Sequence, residues 1–393
     1  MNEETAPKNF TENSVEFSTL QETLATHFKW FHSHPELGLH EWETTARIRD
    51  ILMDAGVKIL DTGLETGLVA RIGGSGTVVA LRCDIDALPI AEATNLEYAS
   101  KNGCMHACGH DFHLTSMLGA ASLLKQRESR LMGAVKLVFQ PAEESVNGAV
   151  SVLASGALDD VAEIYGLHTT PDMPVSMIGV SSGAVYAAVG SFAIRIHGKS
   201  GHAAHPDECR DPIVALSQII GAAQTIVSRR TSPFDPAVLS FTHVEAGNTW
   251  NIIPEEAFAE GTIRVGGKER LNAIMERLKR VCKGVEEICG ARIDFHCELN
   301  APAVNNDSEL AEFVKRTAQE LGFKTGPSRP TMGGEDFAFY QERIRGVFWN
   351  IGVASPEPAH NPRFIANPAA LSTAAALLSA IAEKSLKRLS SVE

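Results

Sequence analysis

The sequence predicts an α/β protein in which one sheet-bearing domain is interrupted by a smaller βαββαβ unit. Three observations lead there. Over the first half, short β-type runs alternate with helix-period segments, the signature of an α/β layer. After Val189 the order becomes strand, helix, strand, strand, helix, strand, a ferredoxin-like unit with a core of its own. Finally, at 393 residues the chain is too long for one ordinary core and suits two domains, or one with a large insertion.

The elements follow in order. A helix is expected through Leu20–Trp30, then a His34-Pro35-Glu36 loop, then a helix from Trp42 to Ala55 that stops at Gly56. Gly67–Ile72 and Thr77–Arg82 read as strands, and Phe112–Lys125 as an apolar helix. Ala134–Phe139 is a strand, Gly148–Ala154 a helix of small residues, and Ala162–Leu167 a strand. In the inserted unit, Ser191–His197 alternates as a strand, and Asp211–Ser228 is a helix with apolar residues at Ile213, Leu216, Ile219, Ile220 and Ala223. Strands Ala237–Val244 and Ala257–Val265 follow, then the amphipathic helix Glu269–Cys289 ending at Gly290, and the strand Ala291–Leu299. The helix Ser308–Leu321, the apolar run Gly346–Ile351 and a helix over Ala369–Leu389 restore the α/β pattern. These boundaries give a first domain part at 1–186, an insertion at 187–299 and a second part at 300–393.

Composition narrows the function. With 44% hydrophobic and 21% charged residues the chain reads as an ordinary globular protein. A net charge of −13 argues against nucleic acid, which needs a basic surface. The start, Met1-Asn2-Glu3-Glu4-Thr5, lacks a secretory pattern, and no apolar run approaches the roughly 20 residues of a membrane span. Seven cysteines without regular spacing argue against a disulfide framework, so reduced thiols and a cytoplasmic location are expected.

The chemistry is concentrated in Met105-His106-Ala107-Cys108-Gly109-His110-Asp111-Phe112-His113 and in Pro141-Ala142-Glu143-Glu144. Cysteine, histidine and glutamate are the side chains that bind a borderline transition metal. On a helix, Cys108 and His110 would diverge by about 200°, so shared coordination requires a loop there, which Gly109 helps to bend. His106 and His113 read as supporting or packing groups. Glu143-Glu144 follows an apolar strand directly, at the end where α/β proteins place ligand-binding groups. Such neighbouring carboxylates can divide metal binding from proton transfer. Asp84-Ile85-Asp86 follows a strand in the same way, and alternation points both aspartates to one side. His168 ends a further strand, and His360 lies in a Pro-rich loop. Read alone, each of these is more often a packed or solvated residue; the convergence of several strand ends is what favours a site.

Two motifs mislead. Gly179-Val180-Ser181-Ser182-Gly183 matches a nucleophile elbow, but a β-like segment follows where the elbow needs a helix. Gly198-Lys199-Ser200 resembles the tail of a P-loop, but Ala193 stands where its first glycine belongs.

Together these residues resemble the M20 family of metallopeptidases and amidohydrolases, in its aminoacylase-like, hippurate-hydrolase-like and auxin-conjugate-hydrolase-like branch. The matching segments include His34-Pro35-Glu36-Leu37, Arg82-Cys83-Asp84-Ile85-Asp86-Ala87-Leu88-Pro89, Met105 to His110 and Phe139 to Glu144. They continue through Gly166-Leu167-His168, Gly201-His202-Ala203-Ala204, Asn251-Ile252-Ile253-Pro254, Gly261-Thr262-Ile263-Arg264, Met332 to Phe337 and His360-Asn361. The resemblance implies a phosphorylase/hydrolase-like zinc-peptidase catalytic domain, two divalent metal ions (Zn, Mn, Co or Ni), and an inserted lid that also forms a homodimer.

It implies that Cys108 bridges the metals, with His110 and His168 completing one site and Glu144 and His360 the other. Glu143 would be the general base and Asp86 a supporting aspartate. His202 would steady the oxyanion, Asn251 and Arg264 would hold the substrate's carboxylate, and Gly334 would line the substrate. The implied reaction is hydrolysis of an N-acyl amino acid. A dipeptidase or carboxypeptidase of the same architecture is the alternative, and a metal-binding protein without catalysis a third reading that leaves Glu143, His202 and Arg264 without a purpose. The chain departs from the family at Pro206-Asp207, where Pro-His is common, and at Cys83 and Cys104, where small or aliphatic residues are common.

Overall fold

The structure, a computed structural model, describes residues 15–145 and 148–391, which fall into two compact units. The first comprises the chain up to Gly183 with Asn306–Arg329 and Phe339 onward; the second is Ala184–Asn305 with Pro330–Ala338.

The first unit is built on an eight-stranded sheet. Its centre is four parallel strands in the order Ala134–Gln140, Val78–Asp84, Val161–Thr170 and Arg345–Gly352. Two of them are buried along their whole length, as a sheet covered on both faces requires. The strands Lys58–Ile59 and Leu68–Gly73 extend one edge antiparallel, and Ile178–Gly179 and Thr325–Gly326 close the other. The short strands were not legible in the sequence because two residues carry no periodicity.

The central helix is His110–Gln126. It starts two residues before the expected Phe112, and almost every side chain in it is buried. It packs against Val15–Ser33 and against Leu371–Ser390. Gly119 is needed at that crossing, since a Cβ there would lie 2.7 Å from Ala375 Cβ and 2.8 Å from Leu24 Cδ1. The stretch Pro368–Ser390 has the length and composition of a membrane span, with an 18-residue window of mean hydropathy 1.2, but packs as a core helix. Of that window 78% is buried within the protein, as part of this core.

The second unit is a four-stranded antiparallel sheet ordered Ala237–Ala246, Glu256–Val265, Ala188–His197, Arg292–Ala301. Its burial alternates residue by residue along Ala188–His197, and the buried face packs under the helices Pro212–Arg230 and Lys268–Cys289. Asp211 caps the first helix through Ile213 N–H and Val214 N–H, and Gly290 ends the second in a left-handed turn. This is the βαββαβ order and the strand arrangement of a ferredoxin-like unit. Neither misleading motif has the needed frame: Gly183 after Ser181-Ser182 begins a strand, and Gly198-Lys199-Ser200 leads into the strand Gly201–His202.

Candidate metal centre

The carboxyl ends of the four parallel strands lie along one edge of the sheet, where a doubly covered α/β sheet places its ligands. Asp86 follows Val78–Asp84 and Glu143-Glu144 follows Ala134–Gln140; His168 lies within Val161–Thr170 near its end, and the loop to His360 follows Arg345–Gly352.

Cys108 stays outside the central helix although His110 is its first residue, because Gly109 between them is left-handed at φ 94. That turn brings Cys108, His110 and His168 together, with one donor atom of each within 4.8 Å of the others. Both imidazoles are held in one tautomer. His110 Nδ1–H donates to the Asp86 carbonyl at 2.9 Å, with Asp86 Oδ1 at 3.2 Å, and His168 Nδ1–H donates to the Thr169 carbonyl at 2.7 Å. Each ring therefore turns Nε2 inward, and His168 Nε2 lies 3.4 Å from Cys108 Sγ.

A second group shares Cys108: Cys108, Glu144 and His360 also lie within 4.8 Å of one another. His360 is a non-glycine residue at φ 65, and its N–H donates to the Ala107 carbonyl at 2.8 Å, beside Cys108. That bond turns what the sequence presented as a loop histidine towards Glu144, with His360 Nε2 3.4 Å from Glu144 Oε1. Glu143 is adjacent, with Oε2 4.0 Å from His110 Nε2.

His110 Nε2 is buried and has no hydrogen-bond partner. A buried, unpartnered ring nitrogen facing thiol, imidazole and carboxylate groups is unfavourable as it stands and is satisfied by a divalent cation. The donor set thus fits divalent metal ions. Burial pushes the Cys108 thiol far up, partly offset by His110 and reinforced by Glu144. Such a thiol ionises only against a strong local cation, so metal binding releases its proton.

Of the neighbouring histidines, His113 and His32 are engaged otherwise, whereas neither nitrogen of His106 is hydrogen-bonded among the described residues. His113 Nδ1–H donates to Asp84 Oδ1 at 2.6 Å, and its Nε2 accepts the Thr169 N–H at 2.9 Å, so neither nitrogen is open to a metal. Burial holds His113 at about 4, although Asp84 pulls the other way. Asp84 also pairs with the fully buried Arg82 at 2.8 Å. His106 is buried and held neutral at about 4 by that burial. His32 is the opposite case: Asp111 at 2.7 Å and Glu92 at 3.0 Å overcome its burial and raise it to about 10.

Thr169 was not singled out in the sequence, yet it serves three neighbours. Its N–H holds His113, its carbonyl orients His168, and its hydroxyl donates to the Cys108 carbonyl at 3.0 Å. No residue pattern signals this, because two of the three bonds are made by its backbone.

Four candidates belong to the second unit: His202, Asn251, Arg264 and Gly334. His202 pairs across a short ladder with Ile252, and the Asn251 carbonyl accepts the Ala203 N–H at 3.2 Å, so these two are neighbours. Arg264 lies opposite Val189 in the sheet, and a Cβ on Gly334 would come within 2.7 Å of Val189 Cγ2, so these form a second group.

The profile of peptidase family M20/M25/M40 matches residues 80–384. The chain is 46% identical over 347 residues to an N-acetylcysteine deacetylase of Bacillus subtilis, covering 87% of this chain and 91% of that protein. It is 38% identical over 374 residues to IAA-amino acid hydrolase ILR1-like 4 of Arabidopsis thaliana, covering 91% and 84%. Among solved structures, a dinuclear metal-binding peptidase of the M20 family from Bacillus subtilis superposes with a TM-score of 0.86 at 41% identity, covering 94% of this chain and 99% of that one. The fold and site define a metal-binding hydrolase that acts on amide bonds. The chain belongs to the M20 family of metallopeptidases and amidohydrolases.

Proposed function

We propose that this protein hydrolyses the amide bond of N-acyl amino acids to a carboxylate and a free amino acid, with two divalent metal ions per subunit. The observation that carries the reading is the pair of donor groups sharing Cys108, with a further carboxylate, Glu143, beside them. Cys108, His110 and His168 would hold one metal, and Cys108, Glu144 and His360 the other. When bound, a metal pair polarises the scissile carbonyl and makes water acidic enough to attack near neutral pH.

The chain's own residues do the rest. Glu143 takes the proton of the attacking water and returns it to the leaving nitrogen. Asp86 accepts a hydrogen bond from His110 Nδ1–H and so keeps Nε2 turned inward to bind metal. His202 steadies the oxyanion. Arg264, with Asn251, binds the carboxylate of the amino acid through its planar fork, and Gly334 lines the substrate.

Thiolate and imidazole suit zinc, while the carboxylates also admit manganese, cobalt or nickel. A homodimer through the second unit and a cytoplasmic location complete the proposal; the seven free cysteines support a reducing compartment. A dipeptidase is the second reading, favoured by the solved M20 relative described as a peptidase.

The test is a substrate panel of N-acetyl, N-benzoyl and N-indoleacetyl amino acids, N-acetylcysteine among them, against dipeptides. It is run on metal-loaded wild type, the metal-stripped protein and Glu143→Ala. Loss of a general base should lower kcat by about 10²–10⁴-fold with metal content retained. Activity that survives either Glu143→Ala or full stripping would refute the mechanism, and turnover of dipeptides alone would select the second reading.

A further inference from the structure

The motif His34-Pro35-Glu36-Leu37 and the helix after it have no part in the mechanism above, and their contacts lead back to the site. Helix Trp42–Asp54 begins after Glu41, yet Glu41 makes no side-chain cap. Glu36 takes that role: Glu43 N–H donates to its Oε1 at 3.1 Å and Thr44 N–H to its Oε2 at 2.8 Å. Glu41 is fully buried, and its Oε1 accepts the Ala142 N–H at 2.8 Å, from a residue 101 positions away in the chain.

Ala142 immediately precedes Glu143-Glu144 and is held left-handed at φ 52. An alanine adopts that conformation only where its surroundings fix it. On the other side of Glu143, Asp86 Oδ2 accepts the Glu144 N–H at 3.0 Å. Two carboxylates thus grip the turn by its amides, one on each side of Glu143. The fit is close: a Cβ on Gly38 would lie 3.1 Å from Ala142 Cα and 3.4 Å from Asp86 Oδ2. The same segment is tied to the site's floor by Ala87 N–H, which donates to the Glu36 carbonyl at 2.8 Å.

We propose that Glu41 is a positioning residue: by holding the Ala142 amide it fixes the turn from which Glu143 and Glu144 project. The inference rests on the reading of Glu143 and Glu144 given above. Without the acceptor, Ala142 relaxes towards an ordinary backbone conformation and both carboxylates rotate with it.

The test uses the full chain, stripped of metal and titrated with Mn2+ by calorimetry, alongside steady-state kinetics. The variants are Glu41→Ala, Glu41→Asp, which is one methylene too short to reach Ala142, and Glu41→Gln, which keeps both reach and acceptor. Glu36→Gln controls for the helix start and Glu144→Ala for the site. Glu41→Ala and Glu41→Asp should weaken one Mn2+ equivalent and lower kcat by about 10–100-fold, with KM little changed. Glu41→Gln should restore both, and Glu36→Gln should lower Tm without altering either. Should Glu41→Ala fail to fold, the Asp and Gln variants decide. Wild-type Mn2+ binding and kcat in Glu41→Asp, or a Glu41→Gln variant as impaired as Glu41→Asp, would overturn the proposal while Glu144→Ala still loses a metal. Two undiminished Mn2+ equivalents in Glu144→Ala would instead sink the reading of the turn itself, and this proposal with it.

Discussion

Gly109→Ala isolates what the turn between Cys108 and His110 demands. Gly109 is left-handed, and a Cβ there would lie 2.6 Å from Thr169 Oγ1 and 3.1 Å from Thr169 Cγ2. The backbone conformation alone costs a non-glycine residue about 1–2 kcal/mol. Thr169 must also swing its hydroxyl away, and the buried Cys108 carbonyl left without that donor adds about 1–3 kcal/mol. The sum, about 2–5 kcal/mol, is smaller than the roughly 5–15 kcal/mol that holds a domain together, so the variant folds with a lowered urea midpoint. Because Cys108 and His110 flank the substituted residue, metal affinity should fall by about 10–100-fold. Removing the obstructing side chain should return part of the loss: Gly109→Ala with Thr169→Ala should be more stable than the two single effects predict, by about 1–2 kcal/mol. Urea unfolding and calorimetric metal titration of the four proteins measure both quantities. A Gly109→Ala variant within about 0.5 kcal/mol of wild type and fully metal-loaded, or a strictly additive double variant, would show that the turn is not constrained as described.

Three further outcomes are expected. His32 is raised to about 10 from 6.5, because its hydrogen bonds to Asp111 and Glu92 outweigh burial. Its stabilising contribution is therefore complete below about pH 6.5 and is lost as pH rises through about 10. Burial works against the charged forms of Glu92 and Asp111, but His32 holds both below the ordinary carboxylate range, so their contribution is present at neutral pH and lost on acidification. Urea midpoints should thus decline between pH 7 and 10, and His32→Ala, which leaves two buried carboxylates unpaired, should cost about 3–5 kcal/mol at pH 7; an unchanged midpoint there contradicts the charged triad. Removing metal should lower Tm, and refilling at a hundred times Kd should restore about 2.7 kcal/mol, so a Tm indifferent to metal would count against the donor groups as a metal site.

The sequence made the framework legible where periodicity is strong. The helix over 268–289 and the alternating strand over 188–197 were readable because one side faces a core and the other does not. The central helix was readable as apolar but not in its start, because His110 and Asp111 look like loop residues and are buried by tertiary packing. Of the donors, Cys108, His110 and Glu144 stood out by local density. His168 and His360 did not, since each is an isolated histidine whose meaning comes from a strand end and from one backbone bond to Ala107. Thr169 and Glu41 were invisible for a related reason: they act through or upon backbone amides, which every residue possesses.

The donors are unevenly spread along the chain. Cys108, His110, Glu144 and His168 all precede the second unit's first strand, whereas His360 comes after its last one. At ribosomal speeds of about 5–20 residues per second, roughly 10–40 s separate the emergence of His168 from that of His360. On the proposed ligand set, a growing chain has produced every donor of one metal ion well before the other can be held. The second ion must wait for the loop that Ala107 fastens, so on that ligand set a half-made chain completes only one of the two donor groups.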